Sequence, residues 1–282
     1  MPESAIPGVS DPGKHLRGGE FYSPVHSRMS TSGVLLSELR QPFSRSVPRH
    51  EHELAYVTVM LEGDYMEGDR GHLDTLSPFS AVFNPAGIAH STVVGPSGAS
   101  FFTIELRNQS LQQLGLGLPS RTTVDRGAGG MLWPGIRLYF AFKSATAAPL
   151  ALEACVFELL GTLTGYDAPG KDVPRWLPRV KERLHEGFRD GIKMRDLAAE
   201  AGVHPVHLAR VFRKFENRTP GEYQQRLQVR AACQLLRDPE WTLAAIAAEC
   251  GFSDQSHLTR VLRRMTGTTP ARFRLAVAGR AA

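Results

Sequence analysis

Three histidines and a tyrosine in the first half of the sequence could hold a metal ion or a polar ligand. His50 and His52 are two residues apart, Tyr56 follows them, and His90 lies further along the chain. Side chains at i and i+2 of a β-strand point to the same face, and a third can approach from a paired strand. Imidazole nitrogens suit Zn, Cu, Fe and Ni. The group is interpreted as polar anchors of a ligand pocket, as a metal site, or as hydrogen-bonded strand residues without a ligand.

A second group of candidate residues lies in an internal repeat. Residues 194–220 and 243–270 align with an offset of 49 before a central turn and 50 after it. Each copy contains a small-residue helix, a glycine (Gly202 or Gly251), a second helix and a Thr-Pro pair that begins the next helix. This order is that of the helix-turn-helix motif, whose second helix enters the major groove of DNA. The repeat therefore predicts two such units in tandem.

The second helix of each copy has one apolar face and one face rich in arginine. The apolar faces are Leu208, Val211 and Phe212 in the first copy and Leu258, Val261 and Leu262 in the second. Arg and Gln side chains form paired hydrogen bonds with guanine and adenine edges. The candidate DNA contacts are His204, Val206, His207, Ala209, Arg210 and Arg213 in the first copy, and Gln255, Ser256, Thr259, Arg260 and Arg263 in the second.

A helix predicted over residues 220–236 joins the two copies. At a rise of about 1.5 Å per residue it is roughly 25 Å long. Recognition helices in successive major grooves on one face of B-DNA lie ~34 Å apart. The joining helix is therefore interpreted as the spacer between two recognition helices.

Charge and composition support this interpretation. Residues 171–282 contain 21 Lys+Arg and 12 Asp+Glu, whereas residues 1–170 contain 12 and 16. A basic second half is typical of a surface that binds a polyanion. Cys155, Cys233 and Cys250 are too few for a disulfide framework and are predicted to be buried thiols. The sequence has no signal peptide and no run of ~18 apolar residues, so we expect a cytoplasmic protein without membrane contact.

The elements that must position these residues change type along the chain. Short β-rich runs at 33–40, 55–61, 80–83 and 100–106, separated by Gly, Pro, Asp or Asn, predict a small barrel or sandwich. A helix follows with an apolar stripe, which we interpret as a cap on the barrel or a dimerisation face. Residues 165–174 read as a linker that permits relative motion of the two halves. The residues of the stripe are Leu152, Val156, Leu159, Leu160 and Leu163.

Residues 175–275 resemble the DNA-binding domain of the AraC/XylS family of bacterial regulators. The matching signature begins at Ala247 and ends at Pro270. Its matching positions are Ala247, Gly251-Phe-Ser-Asp254, Ser256-His-Leu258, Arg260, Leu262-Arg263 and Gly267-Thr-Thr-Pro270. Leu258 and Leu262 stand where the family usually has Phe. Val206 and Ala209 are small and apolar at typical base-reading places, which suits thymine methyls or DNA shape. The resemblance implies a promoter-binding regulator, most often an activator that contacts RNA polymerase.

The histidine segment is similar to the two motifs of a cupin barrel. In metal-dependent cupins the three matching histidines hold a divalent metal with a Glu as fourth ligand, but Tyr56 stands at that place here, and Phe79 and Val94 replace the usual Gly and Asn. AraC-type regulators commonly keep such a barrel as an effector-binding domain without catalysis. Of the three interpretations of this half, we favour a metal-free effector pocket first, a metal-bound sensor second and a cupin enzyme third. An effector-independent repressor is a further alternative.

Together these patterns predict an α+β protein of two domains that is a regulator and not an enzyme. The expected partners are double-stranded promoter DNA, RNA polymerase, a small-molecule effector and a second copy of the chain; no cofactor is expected, although a divalent metal at His50, His52 and His90 is open. The predicted segments are a flexible N-terminal arm (1–31), a cupin-like β-barrel with following helices for effector binding and dimerisation (32–166), a linker (167–174) and an all-α domain with two helix-turn-helix units (175–282).

Overall fold

A computed structural model describes residues 14–31, 33–69, 72–107, 117–144, 149–164 and 173–278. Its first half is rich in β-strands and its second half is helical, which confirms the predicted α+β organisation. Among the described residues, no helix has both the length and the apolar character needed to cross a membrane. Most of the predicted linker (167–172) lies outside these residues, as do residues 1–13 of the predicted arm.

The strands of the first half form one sheet, in which β8 is central. The first part of β8 pairs with β4 and β5, and its second part pairs with β3 and β5. Strand β5 also pairs with β6 and β7, β7 with β9, β3 with β2, and β1 with β4. The strands are β1 (Lys14–Leu16), β2 (Val25–Ser30), β3 (Val34–Gln41), β4 (Arg45–His52), β5 (Ala55–Asp69), β6 (His72–Leu76), β7 (Ala81–Asn84), β8 (His90–Leu106) and β9 (Thr123–Asp125).

The pairing among the described strands does not close into a ring. The sheet is open, so the predicted cupin-like barrel is not confirmed. It bends where the two long strands β5 and β8 change register, near Gly63 and Gly98. A Cβ on Gly63, whose φ is +84°, would lie 2.0 Å from the carbonyl oxygen of Gly98. Segments 62–64 and 95–98, which lie between the predicted β-rich runs, are therefore bends inside the long strands β5 and β8.

Part of the predicted N-terminal arm belongs to this sheet. Strand β1 pairs with β4 in parallel, and β2 pairs with β3 in antiparallel orientation. The loop between them is fixed as well, because the carboxylate of Glu105 accepts hydrogen bonds of 2.9 and 3.0 Å from the backbone N–H of Gly19. Residues 14–16 and 25–30 of the predicted flexible arm are thus strands of the sheet, whose backbone is paired.

The helices form the rest of the described chain. Two lie against the sheet: α1 (Leu132–Phe142) and α2 (Pro149–Leu163). Those that follow are α3 (Trp176–Gly187), α4 (Met194–Glu200), α5 (Pro205–Glu216), α6 (Pro220–Leu235), α7 (Leu243–Glu249), α8 (Gln255–Thr266) and α9 (Pro270–Ala278). Of the three thiols, Cys233 and Cys250 are buried and Cys155 is half-buried.

The apolar stripe of α2 faces the protein's own core. Leu152, Leu159, Leu160 and Leu163 are buried and Val156 is half-buried against that core. The stripe is therefore unavailable for dimerisation, which corrects its interpretation as a self-association face. An amphipathic stripe shows that one face is buried without showing which surface covers it.

The two halves share one hydrophobic core. Phe273 of α9 packs against Phe79 of the sheet half with ring centroids 5.4 Å apart and against Phe140 of α1 at 5.3 Å. The guanidinium of Arg137 in α1 donates a 2.7 Å hydrogen bond to the carbonyl of Met265 in α8. Because these contacts are buried and directional, the structure shows a packed interface where the linker composition predicted relative motion.

Candidate DNA-binding surface and histidine chamber

Two helix pairs, α4–α5 and α7–α8, repeat the same local geometry. The turn within each pair contains a glycine in the left-handed region, Gly202 with φ +67° and Gly251 with φ +77°. The following helix begins at a polar cap: the backbone N–H of Val206 donates to His204 Nδ1 at 3.3 Å, and that of His257 donates to Asp254 Oδ1 at 2.7 Å. These caps and turns fix the orientation of α5 and α8 relative to the helix before each of them.

The faces of α5 and α8 separate as the sequence predicts. Leu208, Phe212, Leu258, Val261 and Leu262 are buried, and Val211 is half-buried. Of the candidate contacts, Ala209 and Thr259 are half-buried, and the exposed ones are His204, Val206, His207, Arg210, Arg213, Gln255, Ser256, Arg260 and Arg263. Val206 is 70% exposed, which is unusual for an apolar side chain. The arrangement presents two arginine-bearing faces to solvent, and their contact with DNA stays a prediction.

Helix α6 ties the second pair to the first. Gln228 Nε2 donates to the carbonyl of Phe188, which follows α3, and to that of Gly251 in the turn before α8, both at 3.1 Å. At its N-terminus, Thr219 and Glu222 form a reciprocal capping box. Arg264, exposed beside the predicted contacts, donates to Gln225 of α6 and so braces α8. Neither Gln228 nor Arg264 was predicted from the sequence, because both act between elements.

The three histidines and Tyr56 meet in a small chamber inside the sheet. The rings of His50 and His90 are 4.4 Å apart between centroids, and those of His52 and Tyr56 are 4.6 Å apart. All four residues are buried, and the chamber between them has a volume of about 60 Å³. Phe21 and Tyr22 of the loop between β1 and β2 also line it. The structure therefore brings all four predicted chamber residues together.

A hydrogen-bonded chain leads from the chamber to a buried carboxylate. Tyr56 Oη lies 3.0 Å from His90 Nε2 and accepts a 3.0 Å hydrogen bond from Asn84 Nδ2. Asn84 also donates to Glu67, and Tyr65 Oη donates to the other oxygen of Glu67 at 2.5 Å. Asn84 and Glu67 were not predicted as site residues, because they reach the chamber through the non-local pairing of β5 with β7 and β8.

Burial makes the chamber histidines weak bases. It lowers the pKa of His50 to about 4, with a further lowering by the nearby His90 ring. It lowers the pKa of His52 to about 3, again with His90 as the next cause. Both imidazoles are therefore neutral at neutral pH, the form that binds metal ions and accepts hydrogen bonds.

Backbone carbonyls orient the rings of two of the three histidines. Nδ1 of His50 faces the carbonyl of Pro48 at 2.8 Å, and Nδ1 of His90 faces that of Ile88 at 3.2 Å. A backbone acceptor on Nδ1 leaves the lone pair on Nε2. Nδ1 of His52 is buried without a hydrogen-bond partner among the described residues. One nitrogen from each ring lies within 4.8 Å of the other two, whereas a tetrahedral site needs ~3.4 Å at bonds of ~2.1 Å.

We expect the metal-free protein to lose stability as the pH falls from 7 to 5. His50 and His52 bind protons less tightly in the folded state than at their ordinary pKa of 6.5, so their contribution is complete above that pH and is lost towards about 4 and 3. Glu105 acts oppositely, since burial raises its pKa to about 6. Urea unfolding in EDTA should show a shallower pH dependence in a His50→Gln/His52→Gln variant. Identical pH dependence in the two proteins would contradict this.

Comparisons with known proteins address the helical half. The family model described as a helix-turn-helix domain matches residues 197–276. The probable transcription factor PqrA of Proteus vulgaris is 33% identical over 103 residues, which cover 36% of this chain and 80% of PqrA. The HTH-type transcriptional regulator Rv1931c of Mycobacterium tuberculosis is 35% identical over 95 residues, 33% of this chain and 37% of that protein. The bifunctional transcriptional activator/DNA repair enzyme AdaA of Bacillus subtilis is 29% identical over 99 residues, which cover 35% of this chain and 47% of AdaA.

Solved structures give a weaker likeness. Apo ToxT from Vibrio cholerae has a TM-score of 0.39 and 11% identity over 89% of this chain and all of that one. The DNA-binding domain of AdpA in complex with a target DNA has a TM-score of 0.35 and 27% identity over 37% of this chain and 94% of that one. Both scores are too low to carry an argument about the fold. The family match over residues 197–276, which runs from α4 to α9, and the relationship to PqrA, of which 80% is covered, show the family: the chain belongs to the AraC family of DNA-binding transcription regulators.

Proposed function

We propose that this regulator places α5 and α8 in two successive major grooves on one face of promoter DNA. One observation carries the proposal: Arg210 and Arg213 of α5 and Arg260 and Arg263 of α8 occupy equivalent, exposed positions of two similar helix pairs. Helix α6, with 16 residues, is ~24 Å long and holds the second pair through Gln228. A spacer of this length is compatible with recognition helices one turn of DNA apart.

Selection of binding sites from a randomised duplex library tests this proposal. The full chain should enrich a motif with two half-sites whose centres are about 10 base pairs apart. A variant with Arg210→Ala and Arg213→Ala should lose one half-site, and a variant with Arg260→Ala and Arg263→Ala should lose the other. Enrichment of a single uninterrupted motif, or of no motif, would oppose binding by two units.

We further propose that a small effector occupies the histidine chamber and that the bound regulator activates transcription through RNA polymerase in the cytoplasm. The aromatic and imidazole lining supports a polar, compact ligand. Drug-sized ligands fill ~300–1,000 Å³, far more than the chamber's volume of about 60 Å³. The effector is therefore only a few atoms in size, or it opens the loop that bears Phe21 and Tyr22. A thermal-shift screen of metabolites against the full chain would identify it, because a ligand of the folded state raises stability.

A divalent metal ion is the second candidate for the chamber. The three neutral imidazoles, two of them oriented by backbone carbonyls, match the donor set that Zn²⁺ and related ions prefer. His50, His52 and His90 would hold the ion, and Tyr56 occupies the place of the carboxylate in metal-dependent cupins. Such an ion would supply a fixed positive charge that a ligand can sense.

Removing one chamber histidine should abolish metal binding. In titrations of the full chain with Zn²⁺ or Co²⁺ we expect His52→Ala to weaken binding at least 100-fold, because two imidazoles remain. The matched control is His26→Ala, which removes an exposed histidine of β2. Equal affinities of wild type and His52→Ala would exclude a metal in the chamber and leave the metal-free pocket.

For the homodimer we propose the outward face of α2 in place of its buried stripe. Leu150 and Phe157 are 75% and 56% exposed and lie two turns apart on this helix. Sedimentation of the full chain at tens of micromolar should show a dimer that Phe157→Glu dissociates. The matched control is Glu153→Gln, an exposed polar change on the same helix. A wild-type monomer would remove the dimer from the proposal.

A further inference from the structure

Strand β7 ends, and strand β9 begins, at the wall of the histidine chamber. The last residue of β7, Asn84, donates to Tyr56 Oη and accepts a 2.9 Å hydrogen bond from the hydroxyl of Thr122, the residue before β9. The strands then run side by side in antiparallel pairing, with Phe83 opposite Thr123 and Ala81 opposite Asp125. Four residues of strand extend ~13 Å. Two paired strands therefore connect Asn84 with the loops at their other ends.

The start of β7 and the end of β9 both lie near one arginine of the DNA-binding half. Arg230 of α6 donates through Nε to the carbonyl of Phe79 at 2.9 Å and through Nη2 to the hydroxyl of Ser77 at 2.7 Å. On its other side lies Gly127, two residues beyond β9, where a Cβ would come within 2.1 Å of Arg230 Cδ. The arginine stem is thus held between the loop before β7 and the loop after β9.

The contact on the sheet side is backbone held in an unusual conformation. Phe79 has φ +58° although it is not glycine, and its side chain is fully buried. A non-glycine residue in this region is strained and persists only where its surroundings hold it. Its surroundings here are Phe273 of α9, whose ring packs on Phe79, and Met60, whose carbonyl accepts from the Phe79 N–H at 2.9 Å. The loop has little freedom to absorb a displacement without passing it on.

On the DNA-binding side, Arg230 lies on the helix that sets the position of α8. Gln228, two residues earlier on α6, donates to the carbonyl of Gly251 in the turn before α8. Gln234, one turn after Arg230, lies 3.4 Å from the carbonyl of Pro78 in the same loop of the sheet half. Helix α6 therefore contacts both the loop before β7 and the turn before α8.

We propose that β7 and β9 couple the histidine chamber to helix α6, with Arg230 as the positioning residue that receives the displacement. The inference rests on the proposed effector response of the same chamber and adds its route: Tyr56 and Asn84 sense the occupant, the strand pair transmits, and Arg230 moves α6. Occupancy of the chamber then alters the spacing of α5 and α8 without any contact between ligand and DNA.

Hydrogen–deuterium exchange on the full chain, without DNA or added ligand, tests the route. Asn84→Ala removes the amide that joins Tyr56 to β7, and we expect amides of residues 226–232 in α6 to exchange at least threefold faster relative to those of α3. The matched control is Val47→Ala, which shortens a buried chamber residue of β4, a strand that does not pair with β7. If Asn84→Ala fails to fold, Tyr56→Phe replaces it in the same experiment, because it removes only the hydroxyl that accepts from Asn84.

The reverse direction supplies a second control on the same helix. Arg230→Gln should accelerate exchange in β7, whereas Arg226→Gln, one turn earlier and bonded to Gly129, should not. Equal acceleration of α6 and α3 by Asn84→Ala, or equal effects of the two arginine variants on β7, would overturn the route. Neither outcome bears on DNA binding, which the library selection measures, so failure of the route and failure of the proposed function are distinguishable.

Discussion

Replacing Arg260 by alanine should weaken binding to the selected DNA site by about 1–3 kcal/mol and relax preference at one base pair. Arg260 is exposed on α8, one turn after the helix begins, beside Gln255 and Ser256. Residues near the N-terminus of a recognition helix approach the base edges, and arginine pairs with guanine through two hydrogen bonds. The measurement is fluorescence anisotropy with the selected duplex and with duplexes that vary each base pair.

Arg263→Ala is the matched control for that experiment. Arg263 is also exposed but lies nearer the end of α8, where a cation reaches the phosphates. Its removal should weaken binding to all sequences alike and reduce the slope of log K against log salt by about one. If Arg260→Ala weakened binding to the selected and to random duplexes equally, Arg260 would be a phosphate contact, and the assignment of roles would be wrong.

Replacing Asp125 by alanine should lower the free energy of unfolding by about 3–5 kcal/mol. Its buried carboxylate accepts hydrogen bonds from the backbone N–H of Gly127, Gly129, Met131 and Leu132, at 2.6 to 2.9 Å. Each hydrogen bond to a charged group contributes about 1.5–3 kcal/mol, and a buried N–H left without an acceptor is costly. These bonds fold the loop against Arg230 and begin α1.

Urea unfolding of the variant beside Asp238→Ala checks this expectation. Asp238 is exposed, and its carboxylate accepts one backbone hydrogen bond, from Glu240 at 2.9 Å. Its loss should change the free energy of unfolding by about 0.5 kcal/mol or less, as at most surface sites. Similar losses for the two variants would show that the Asp125 loop contributes little to the junction of the two halves.

The helical half was predictable because its signals are local. The caps, the glycine turns and the 3.6-residue periodicity of α5 and α8 each involve residues a few positions apart, so the exposed faces follow from the sequence. The internal repeat reinforced every one of these signals, as the positions of Arg210 and Arg260 illustrate. Periodicity did not predict the hydrogen bonds of Gln228 and Arg264 between helices, because they depend on how the helices pack.

The sheet half was predicted less well because its contacts are non-local. Strand β4 was expected only around His50 and His52 and was not among the predicted β-rich runs. Its sequence, Arg-Ser-Val-Pro-Arg-His-Glu-His, is polar and contains proline, and it becomes a strand by pairing with β1 and β8. The clustering of His50, His52 and His90 followed from spacing and resemblance. The link through Asn84 to Glu67 requires the pairing of β5, β7 and β8, which one-dimensional patterns do not specify.

The central claim, that two recognition helices bind DNA together, is tested most directly by hydroxyl-radical footprinting of the full chain on its selected site. The account predicts two protected patches on each strand, about 10 base pairs apart and on the same face of the duplex, with the patch of α8 lost in Arg260→Ala/Arg263→Ala and the other retained. A single protected patch in the wild type, or simultaneous loss of both patches in that variant with its fold intact, would contradict it.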